Sequence, residues 1–374
     1  MALKLKSGAT GSRWPRLHQS VLPSCLTELG RIADNPGDLR GLCFVPDGVE
    51  EPMPLVVVLH GCTQTADLYD QGTGWSTLAA RGGFALLFPE QQRSNNPMLC
   101  FNWFSDADTR RGMGEAATIK SMIDTMKRDH AIDPARIFIT GLSAGGAMTS
   151  VMLATYPEQF AGGAIIAGLA YGCASGMAEA LDCMAGRSRS TADELAAVIR
   201  CASPHTGQWP RVQVWQGDAD TTVTPGNADA IVAQWAGLHG VSVKPDVIDR
   251  IDHHPRARWL GADGTALIER YSIAGMGHGV PIDPRRGASE ALGSAGAHML
   301  DVGLCSTQRI AEFFGIGGAA ATAVEAKPAK PIAFAVPVTP RADQSRESSS
   351  AAMPPASGVQ AVIEKALKAA GLMR

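Results

Sequence analysis

The sequence lacks two features that would place it among membrane or nucleic-acid-binding proteins. No segment approaches the roughly 18 consecutive apolar residues of a membrane-spanning helix, and the nearest stretch, residues 161–170, is far shorter. No basic block occurs, because 33 basic and 36 acidic residues nearly cancel to a net charge of −3. Nucleic acid and anionic membranes attract clustered positive charge, so neither is expected as a main partner.

Export and metal-binding signals are missing as well. Basic residues occur near the start, but no apolar segment follows them before residue 24, so a cytoplasmic protein is the default expectation. The eight cysteines form no CxxC pair, and a structural zinc site is therefore not expected. They are too sparse for a fold built on disulfides, and we interpret them as small buried apolar residues.

Short apolar runs alternate with helix-length segments across residues 37–317. The run at residues 55–59 is continuously apolar and β-branched, as in a strand covered on both faces. Similar runs lie at residues 39–45, 84–88, 136–140, 164–166, 212–215 and 266–273. The helix-length segments are residues 65–81, 114–130, 144–155 and 225–239. This alternation predicts a single α/β domain with a mostly parallel sheet and helices on both faces.

The segments outside this pattern differ in composition. Residues 1–36 show no clear period and are interpreted as a loose lead-in. Residues 171–208 lack a clear strand and are expected to form an insertion near the rim of the site. Residues 318–358 are rich in Ala, Pro, Ser and Lys, which predicts a disordered linker. Apolar positions in residues 359–371 follow helical spacing, which predicts an amphipathic helix that docks on this domain, a second subunit or a hydrophobic granule.

A GxSxG sequence at residues 141–145 is the sharpest chemical signal. It follows the strand at 136–140 and precedes the helix at 144–155, which is the context of a nucleophile elbow. The glycines leave room for a strained turn, and the helix dipole favours negative charge beside it. An ordinary tight turn is the alternative. We predict that Ser143 is the nucleophile.

A serine nucleophile needs a general base, and the base needs an orienting carboxylate. In α/β-hydrolases these residues follow in the order Ser, acid, His. The loop after the strand at 212–215 contains Asp218 and Asp220. Asp220 lies deeper in the loop and is predicted as the acid, whereas Asp218 is assigned to turn hydrogen bonds. His278 lies between two glycines after the strand at 266–273 and is predicted as the base.

The other histidines are weaker candidates for the base. His253 and His254 lie in a charged stretch and are expected to be solvated. His298 is the remaining rival. The oxyanion hole is expected to use the N–H of Ala144, which follows the nucleophile, and the N–H of Cys62, which follows an early strand. A reactive thiol at Cys62 is the alternative.

Together these motifs resemble the polyhydroxybutyrate (PHB) depolymerase-like esterases, which are α/β-hydrolases related to acetylxylan and feruloyl esterases. The resemblance spans residues 40–315 and rests on LHGCTQ at 59–64, CFNWF at 100–104, RGMGE at 111–115, GLSAGG at 141–146, GDADTTVTP at 217–225 and GH at 277–278. It implies the α/β-hydrolase fold with Ser143, Asp220 and His278 as the catalytic triad and Cys62 and Ala144 as the oxyanion hole. Asn102 and Trp103 would then lie near the substrate, although Trp103 as plain core packing is the alternative.

The resemblance also implies a reaction and a substrate class. Carboxylic esters would be hydrolysed through an acyl-serine, without metal or organic cofactor, and the substrate would be poly- or oligo-3-hydroxybutyrate or similar short hydroxyacyl esters. Acetyl or feruloyl esters on polysaccharides are the alternative substrates, and a non-catalytic α/β-hydrolase-fold binding protein is the alternative of another class. Secretion is the alternative to the cytoplasm. Cys62 and Cys100 flank motifs at the rim and are a candidate disulfide if the protein matures in an oxidising compartment.

Overall fold

A computed structural model describes residues 24–49, 52–187, 191–285 and 292–317 of the chain. The predicted linker at 318–358 and the predicted helix at 359–371 lie outside these residues, as do residues 1–23 of the predicted lead-in. The fold and the site described below lie within the four described ranges.

One large sheet with a parallel centre organises the domain. The strands are β1 (Thr27–Glu28), β2 (Arg40–Phe44), β3 (Met53–Leu59), β4 (Ala85–Glu90), β5 (Ile132–Leu142), β6 (Gly162–Ile166), β7 (Arg211–Gly217), β8 (Val247–Ile251), β9 (His254–Leu260), β10 (Ala266–Ile273), β11 (Val280–Ile282) and β12 (Met299–Asp301). The large sheet has the order β1-β2-β4-β3-β5-β6-β7-β10-β9-β8, and β11 pairs with β12. From β4 to β10 in that order, neighbouring strands are parallel. The pairs at both ends are antiparallel, and the predicted mostly parallel sheet is confirmed.

Helices cover both faces of this sheet, as predicted. They are α1 (Ala66–Thr73), α2 (Trp75–Gly82), α3 (Asp106–Thr109), α4 (Gly114–Asp129), α5 (Ala144–Thr155), α6 (Met177–Met184), α7 (Ala192–Ala202), α8 (Gly226–His239) and α9 (Ser306–Phe314). Side chains of α4, α5, α7 and α8 form one core with Val57 of β3, and those of α1, α2 and α9 form a second core with Val56 and Val58. Burial on both faces explains the continuous apolar run in β3. Within the described ranges, no helix has the length and apolar character needed to cross a membrane.

The helical segment predicted at residues 65–81 is two helices in the structure. Gly74 separates α1 from α2 with a φ of 73°, in the left-handed region that glycine adopts readily. A Cβ atom at this position would lie 2.4 Å from the backbone N of Gly293. Gly74 therefore ends α1 as a left-handed C-cap, and the close contact with Gly293 leaves no room for a side chain there.

Two segments without a predicted strand or helix are structured. Thr27 and Glu28 of the lead-in pair with Cys43 and Leu42 of β2, so this part of the lead-in is joined to the sheet. The rim insertion at 171–208 contains α6 and α7, and its described residues contain no strand. Thr191 and Glu194 form a capping box at the start of α7, and this signal was available in the sequence.

The expectation for one histidine is wrong at the end of the sheet formed by β8 and β9. The strands β8 and β9 were not predicted, because charged residues such as Asp249 interrupt their apolar pattern. Asp249 forms ion pairs with Arg256 at 2.7 Å and Arg258 at 3.0 Å. His254, expected to be solvated, is buried in β9, where its Nδ1 accepts a hydrogen bond from the Ala274 N–H at 3.3 Å. His253 is exposed, as expected.

Truncation of Phe314 tests whether α9 belongs to the core of the domain. The Phe314 ring is 4% exposed and stacks on Phe138 of β5 with 4.5 Å between the ring centroids. We expect Phe314→Ala to lower the free energy of unfolding by about 3–5 kcal/mol, because it leaves a cavity against the sheet. Leu68→Ala, at a side chain that is 55% exposed, is the matched control and should cost about 0.5 kcal/mol or less. Urea unfolding measures both, and equal losses would contradict the packing described here.

Candidate active site

Ser143 occupies a strained turn between β5 and α5. Its φ of 57° and ψ of −117° lie outside the regions that a residue with a side chain normally adopts. Its backbone N–H donates to the carbonyl of Ile166 on the neighbouring β6 at 2.9 Å. The side chain does not cap α5, so the hydroxyl is not used by the helix that it precedes. Strain of this kind costs about 1–3 kcal/mol and persists where the surroundings fix it.

The glycines around Ser143 are required by close backbone contacts. A Cβ atom at Gly141 would lie 2.4 Å from the carbonyl oxygen of Gly145. At Gly145 it would lie 2.5 Å from the carbonyl oxygens of both Leu59 and His60 at the end of β3. Because real Cβ atoms essentially never approach heavy atoms below 3.0 Å, α5 can begin against β3 only with glycine at this position. The GxSxG pattern is thus a packing requirement as well as a chemical signal.

Asp220 lies in the loop between β7 and α8, where four N–H groups surround its carboxylate. Its Oδ1 accepts the backbone N–H groups of Thr222 at 2.8 Å and Val223 at 2.9 Å. Its Oδ2 is 2.8 Å from Nδ1 of His278 and accepts the Gln216 amide N–H at 3.2 Å. The carboxylate is buried and fixed in orientation, so it holds the imidazole in one position.

His278 follows β10, and its loop is joined to the Asp220 loop by further contacts. The Ala219 N–H donates to the Met276 carbonyl at 3.1 Å. Asp218, predicted for turn hydrogen bonds, accepts the backbone N–H of Gly275 through Oδ1 at 2.6 Å. These bonds connect the acid-bearing and the histidine-bearing loops independently of the Asp220–His278 contact.

His298 contacts the backbone and the ring of His278. Its Nδ1 lies 3.1 Å from the carbonyl oxygen of His278, and the two ring centroids are 6.0 Å apart. The Val280 N–H donates to the His298 carbonyl at 2.7 Å, which fixes the chain just after His278. The carboxylate of Asp220 is bonded to His278, so His298 has the weaker geometry for the base.

The two predicted oxyanion donors lie at the start of helix α5 and in the turn after strand β3. Ala144 is the first residue of α5, and the first N–H groups of a helix have no intrahelical acceptor. Cys62 lies in the turn after β3, where the N–H of Gln64, two residues further on, donates to the Gly61 carbonyl at 3.3 Å. In the described ranges, none of the backbone hydrogen bonds of turns, loops and helix ends is donated by the N–H of Cys62. A disulfide joins Cys62 to Cys100, so the alternative of a reactive thiol at Cys62 is wrong.

The two predicted substrate contacts differ in their surroundings. Trp103 is 9% exposed, stacks edge-on against Phe104, and borders a cleft of about 260 Å³ that Tyr171 and Val198 of the rim insertion also line. Asn102 faces the protein instead. Its Nδ2 donates to Glu115 at 2.7 Å and its Oδ1 accepts from Asn96 at 2.9 Å.

His60 was missed as a part of the site, although its place directly before Gly61 and Cys62 was a signal. The backbone N–H of Gln91 donates to its Nε2 at 3.1 Å, so its proton is on Nδ1, which donates to the Gly61 carbonyl at 2.8 Å. Burial lowers the pKa of His60 below the usual histidine value. A neutral His60 therefore fixes the backbone that presents Cys62. No group of three or more potential metal-ligating side chains occurs in the described ranges.

Comparison with known proteins places this arrangement in a family. The family model described as "Esterase PHB depolymerase" matches residues 40–247. The chain is 46% identical over 294 residues to poly(3-hydroxyalkanoate) depolymerase C of Paucimonas lemoignei, covering 78% of this chain and 70% of that protein. It is 30% identical over 274 residues to acetylxylan esterase A of Aspergillus oryzae, covering 71% and 88%.

A solved structure agrees with these sequence relatives. The acetyl xylan esterase from Aspergillus awamori superposes with a TM-score of 0.66 and 25% sequence identity, covering 78% of this chain and 98% of that one. The predicted α/β-hydrolase fold is confirmed by this likeness together with the sheet order. The family match extends over more than half of the 374 residues. The chain therefore belongs to the PHB depolymerase family of esterases and is a carboxylic ester hydrolase.

Proposed function

We propose that this esterase hydrolyses esters of 3-hydroxyalkanoic acids through an acyl-enzyme on Ser143, with His278 as general base and Asp220 as its orienting acid. The observation that carries the proposal is the hydrogen bond of 2.8 Å between Asp220 Oδ2 and His278 Nδ1. It leaves Nε2 as the ring nitrogen that can exchange a proton with Ser143. The left-handed turn at Ser143, at the same carboxyl edge of the sheet, supports its role as nucleophile.

The reaction follows from these positions in two steps. Ser143 Oγ attacks the ester carbonyl while its proton passes to His278, and the N–H groups of Cys62 and Ala144 donate to the oxyanion that forms. His278 then protonates the leaving alcohol, and the acyl group remains on Ser143. In the second step His278 takes a proton from water as the water oxygen attacks the acyl carbonyl. His278 then returns this proton to Ser143 Oγ as the acyl–serine bond breaks, which releases the acid and regenerates the serine.

The substrate class is proposed from the relatives. A relative that is 46% identical is named a poly(3-hydroxyalkanoate) depolymerase, whereas an acetylxylan esterase is 30% identical. Carbohydrate acetyl or feruloyl esters are thus the second candidate. We further propose that Trp103 forms a wall of the acyl site, and that Asn102, whose amide is engaged by Glu115 and Asn96, positions this wall without contacting the substrate.

A secreted enzyme fits this function better than the cytoplasmic default. The disulfide between Cys62 and Cys100 joins the oxyanion turn to the loop of Trp103, and disulfides persist in oxidising compartments. A solid polymer or granule as partner, and docking through residues 359–371, stay predictions because that segment lies outside the described residues.

Removal of the nucleophile separates a catalytic from a purely binding α/β-hydrolase-fold protein. We expect Ser143→Ala to lower kcat on a soluble 3-hydroxybutyrate ester by on the order of 10⁴–10⁶, because no other group supplies the attacking oxygen. Ser242→Ala, at an exposed serine on the far end of the sheet, is the control and should keep its activity. Retention of more than a tenth of wild-type kcat by Ser143→Ala, with an unchanged melting temperature, would rule the assignment out.

Paired asparagine variants test the orienting acid. Asp220→Asn should lower kcat by about 10⁴, because the amide no longer fixes the tautomer of His278. Asp218→Asn keeps an acceptor for the Gly275 N–H and should lower kcat by less than about tenfold. Steady-state kinetics on one soluble ester measure both variants. A larger loss at position 218 would reverse the assignment.

Competition between ester classes tests the substrate proposal. We expect kcat/KM for 3-hydroxybutyrate oligomers to exceed that for acetylated xylan, for a feruloyl ester and for long-chain triglycerides by at least about tenfold, since pocket fit separates related acyl groups by 10- to 200-fold. Released acids are quantified from each substrate at the same enzyme concentration. A higher value for either carbohydrate ester would favour the second candidate.

A further inference from the structure

Glu115 is a fully buried acid that the proposed mechanism does not use. It lies in the RGMGE motif, at the start of α4, and is 0% exposed. Its Oε1 accepts N–H groups from the side chains of Gln91 at 2.6 Å, Asn102 at 2.7 Å and Asn95 at 3.2 Å. Its Oε2 accepts the backbone N–H of Asn102 at 2.8 Å. All of these donors belong to the loop between β4 and α3. One carboxyl group therefore binds three residues spread along this loop.

Burial and hydrogen bonding act on Glu115 in opposite directions. Burial raises its pKa, and the N–H donors of Asn102 and Gln91 oppose that rise because they favour the charged carboxylate. A buried acid is unfavourable unless its oxygens are hydrogen-bonded. The four donors meet this requirement only while the loop keeps its present shape.

A chain of hydrogen bonds leads from Glu115 to the oxyanion turn. Gln91, whose side chain donates to Glu115, donates its backbone N–H to Nε2 of His60 at 3.1 Å. His60 in turn donates from Nδ1 to the Gly61 carbonyl at 2.8 Å. The peptide bond that bears the Gly61 carbonyl also bears the N–H of Cys62. The orientation of the proposed oxyanion donor therefore depends on His60 and, through Gln91, on Glu115.

A second connection reaches the same turn by another path. The Gln91 side chain donates to the carbonyl of Cys100 at 2.9 Å, and Cys100 forms the disulfide with Cys62. The Thr63 N–H donates to the Met98 carbonyl at 2.7 Å, which holds the turn directly against the loop. Both sets of contacts start from the loop that is hydrogen-bonded to Glu115. One ends at the Gly61 carbonyl, before the Cys62 N–H, and the other ends at the Cys62 side chain and the Thr63 N–H, after it.

We propose that Glu115 is a positioning residue of this esterase, which holds the loop of residues 91–102 so that the Cys62 N–H points at the oxyanion and Trp103 lines the acyl site. The inference rests on the proposed function, because it concerns the same oxyanion hole. Glu115 does not touch the reacting atoms. It acts through Gln91 and His60 on the turn, and through Asn102 on Trp103.

Glu115→Gln tests this role with almost no change in shape. In either orientation the new amide sets its NH₂ group against an N–H donor, at Asn102 N or at the three side-chain donors. We expect kcat on a soluble 3-hydroxybutyrate ester to fall about 10- to 100-fold with KM within about threefold of wild type, since misplacement by about 1 Å costs that much. Titration with a fluorophosphonate that labels Ser143 gives the active fraction, so kcat is expressed per folded site.

Inhibitor binding distinguishes a displaced oxyanion donor from a general loss of structure. An alkylboronic acid forms a tetrahedral adduct on the serine, with one oxygen in the oxyanion hole. Its Ki should rise in Glu115→Gln by the same factor as kcat falls, because it resembles the transition state. The Ki of the product 3-hydroxybutyrate should change less than about threefold, because the product lacks the tetrahedral oxygen. An equal weakening of both inhibitors would overturn the proposal.

Two further variants complete the test. Asp70→Asn is the matched control, because it also replaces a buried carboxylate, one that accepts hydrogen bonds from Ser76 of α2 and from the Cys25 thiol and from no residue of the loop at 91–102. It should leave kcat per active site unchanged. If Glu115→Gln does not fold, Gln91→Leu removes the other partner of the Gln91–Glu115 hydrogen bond. This variant should show the same fall in kcat and the same rise in the Ki of the boronic acid. A kcat within twofold of wild type in either folded variant, or an equal loss in Asp70→Asn, would overturn the positioning role.

The outcome is separable from that of the proposed function. If wild-type turnover does not depend on Ser143, the proposed function fails, and the positioning role fails with it. If turnover depends on Ser143 while Glu115→Gln keeps its kcat, only the positioning role fails.

Discussion

The contact between the first turn of α5 and the end of β3 is the constraint on which the site depends. At Gly145 the two backbones approach so closely that no side chain fits between them. This approach places the turn at Ser143 next to the turn that contains Gly61 and Cys62, and it holds Ser143 in its left-handed conformation. One backbone contact therefore holds Ser143 and the turn of Gly61 and Cys62 side by side, and the loop of His278 follows β10 in the same sheet.

Two parts of the protein interior, one apolar and one polar, hold the loops of the proposed site in place. The apolar interior lies on both faces of the parallel sheet and aligns the strand ends, so β5, β7 and β10 deliver Ser143, Asp220 and His278 to one edge. The polar interior lies beyond that edge, where side-chain amides and Glu115 replace apolar contacts. Apolar packing determines where the loops start, while directional hydrogen bonds determine the direction in which an individual N–H points.

The sequence predicted the central strands correctly and singled out the proposed site residues, because both have local signals. The run at β3 and the GxSxG pattern depend on neighbours within a few residues. The break at Gly74 had a local signal, because glycine commonly ends a helix. The edge strand β8 and the burial of His254 depend on partners distant in the chain, and no local pattern reports them. The polar network was missed for the same reason. Glu115 was visible within its motif, but its partners Gln91, Asn95 and Asn102 acquire a common function only when the loop folds over α4.

The strand that ends the sheet has a consequence for the enzyme at high concentration or on a crowded surface. An open sheet edge exposes backbone groups that can pair with a strand of another molecule and start aggregation. In β8 the apolar residues lie on both sides of the adjacent Asp249 and Arg250, Ile248 is exposed, and Asp249 is already paired with Arg256 of the next strand. A second molecule that added a strand there would have to place its side chains beside these charges. The ion pairs at β8 therefore discourage the association of two molecules through this strand.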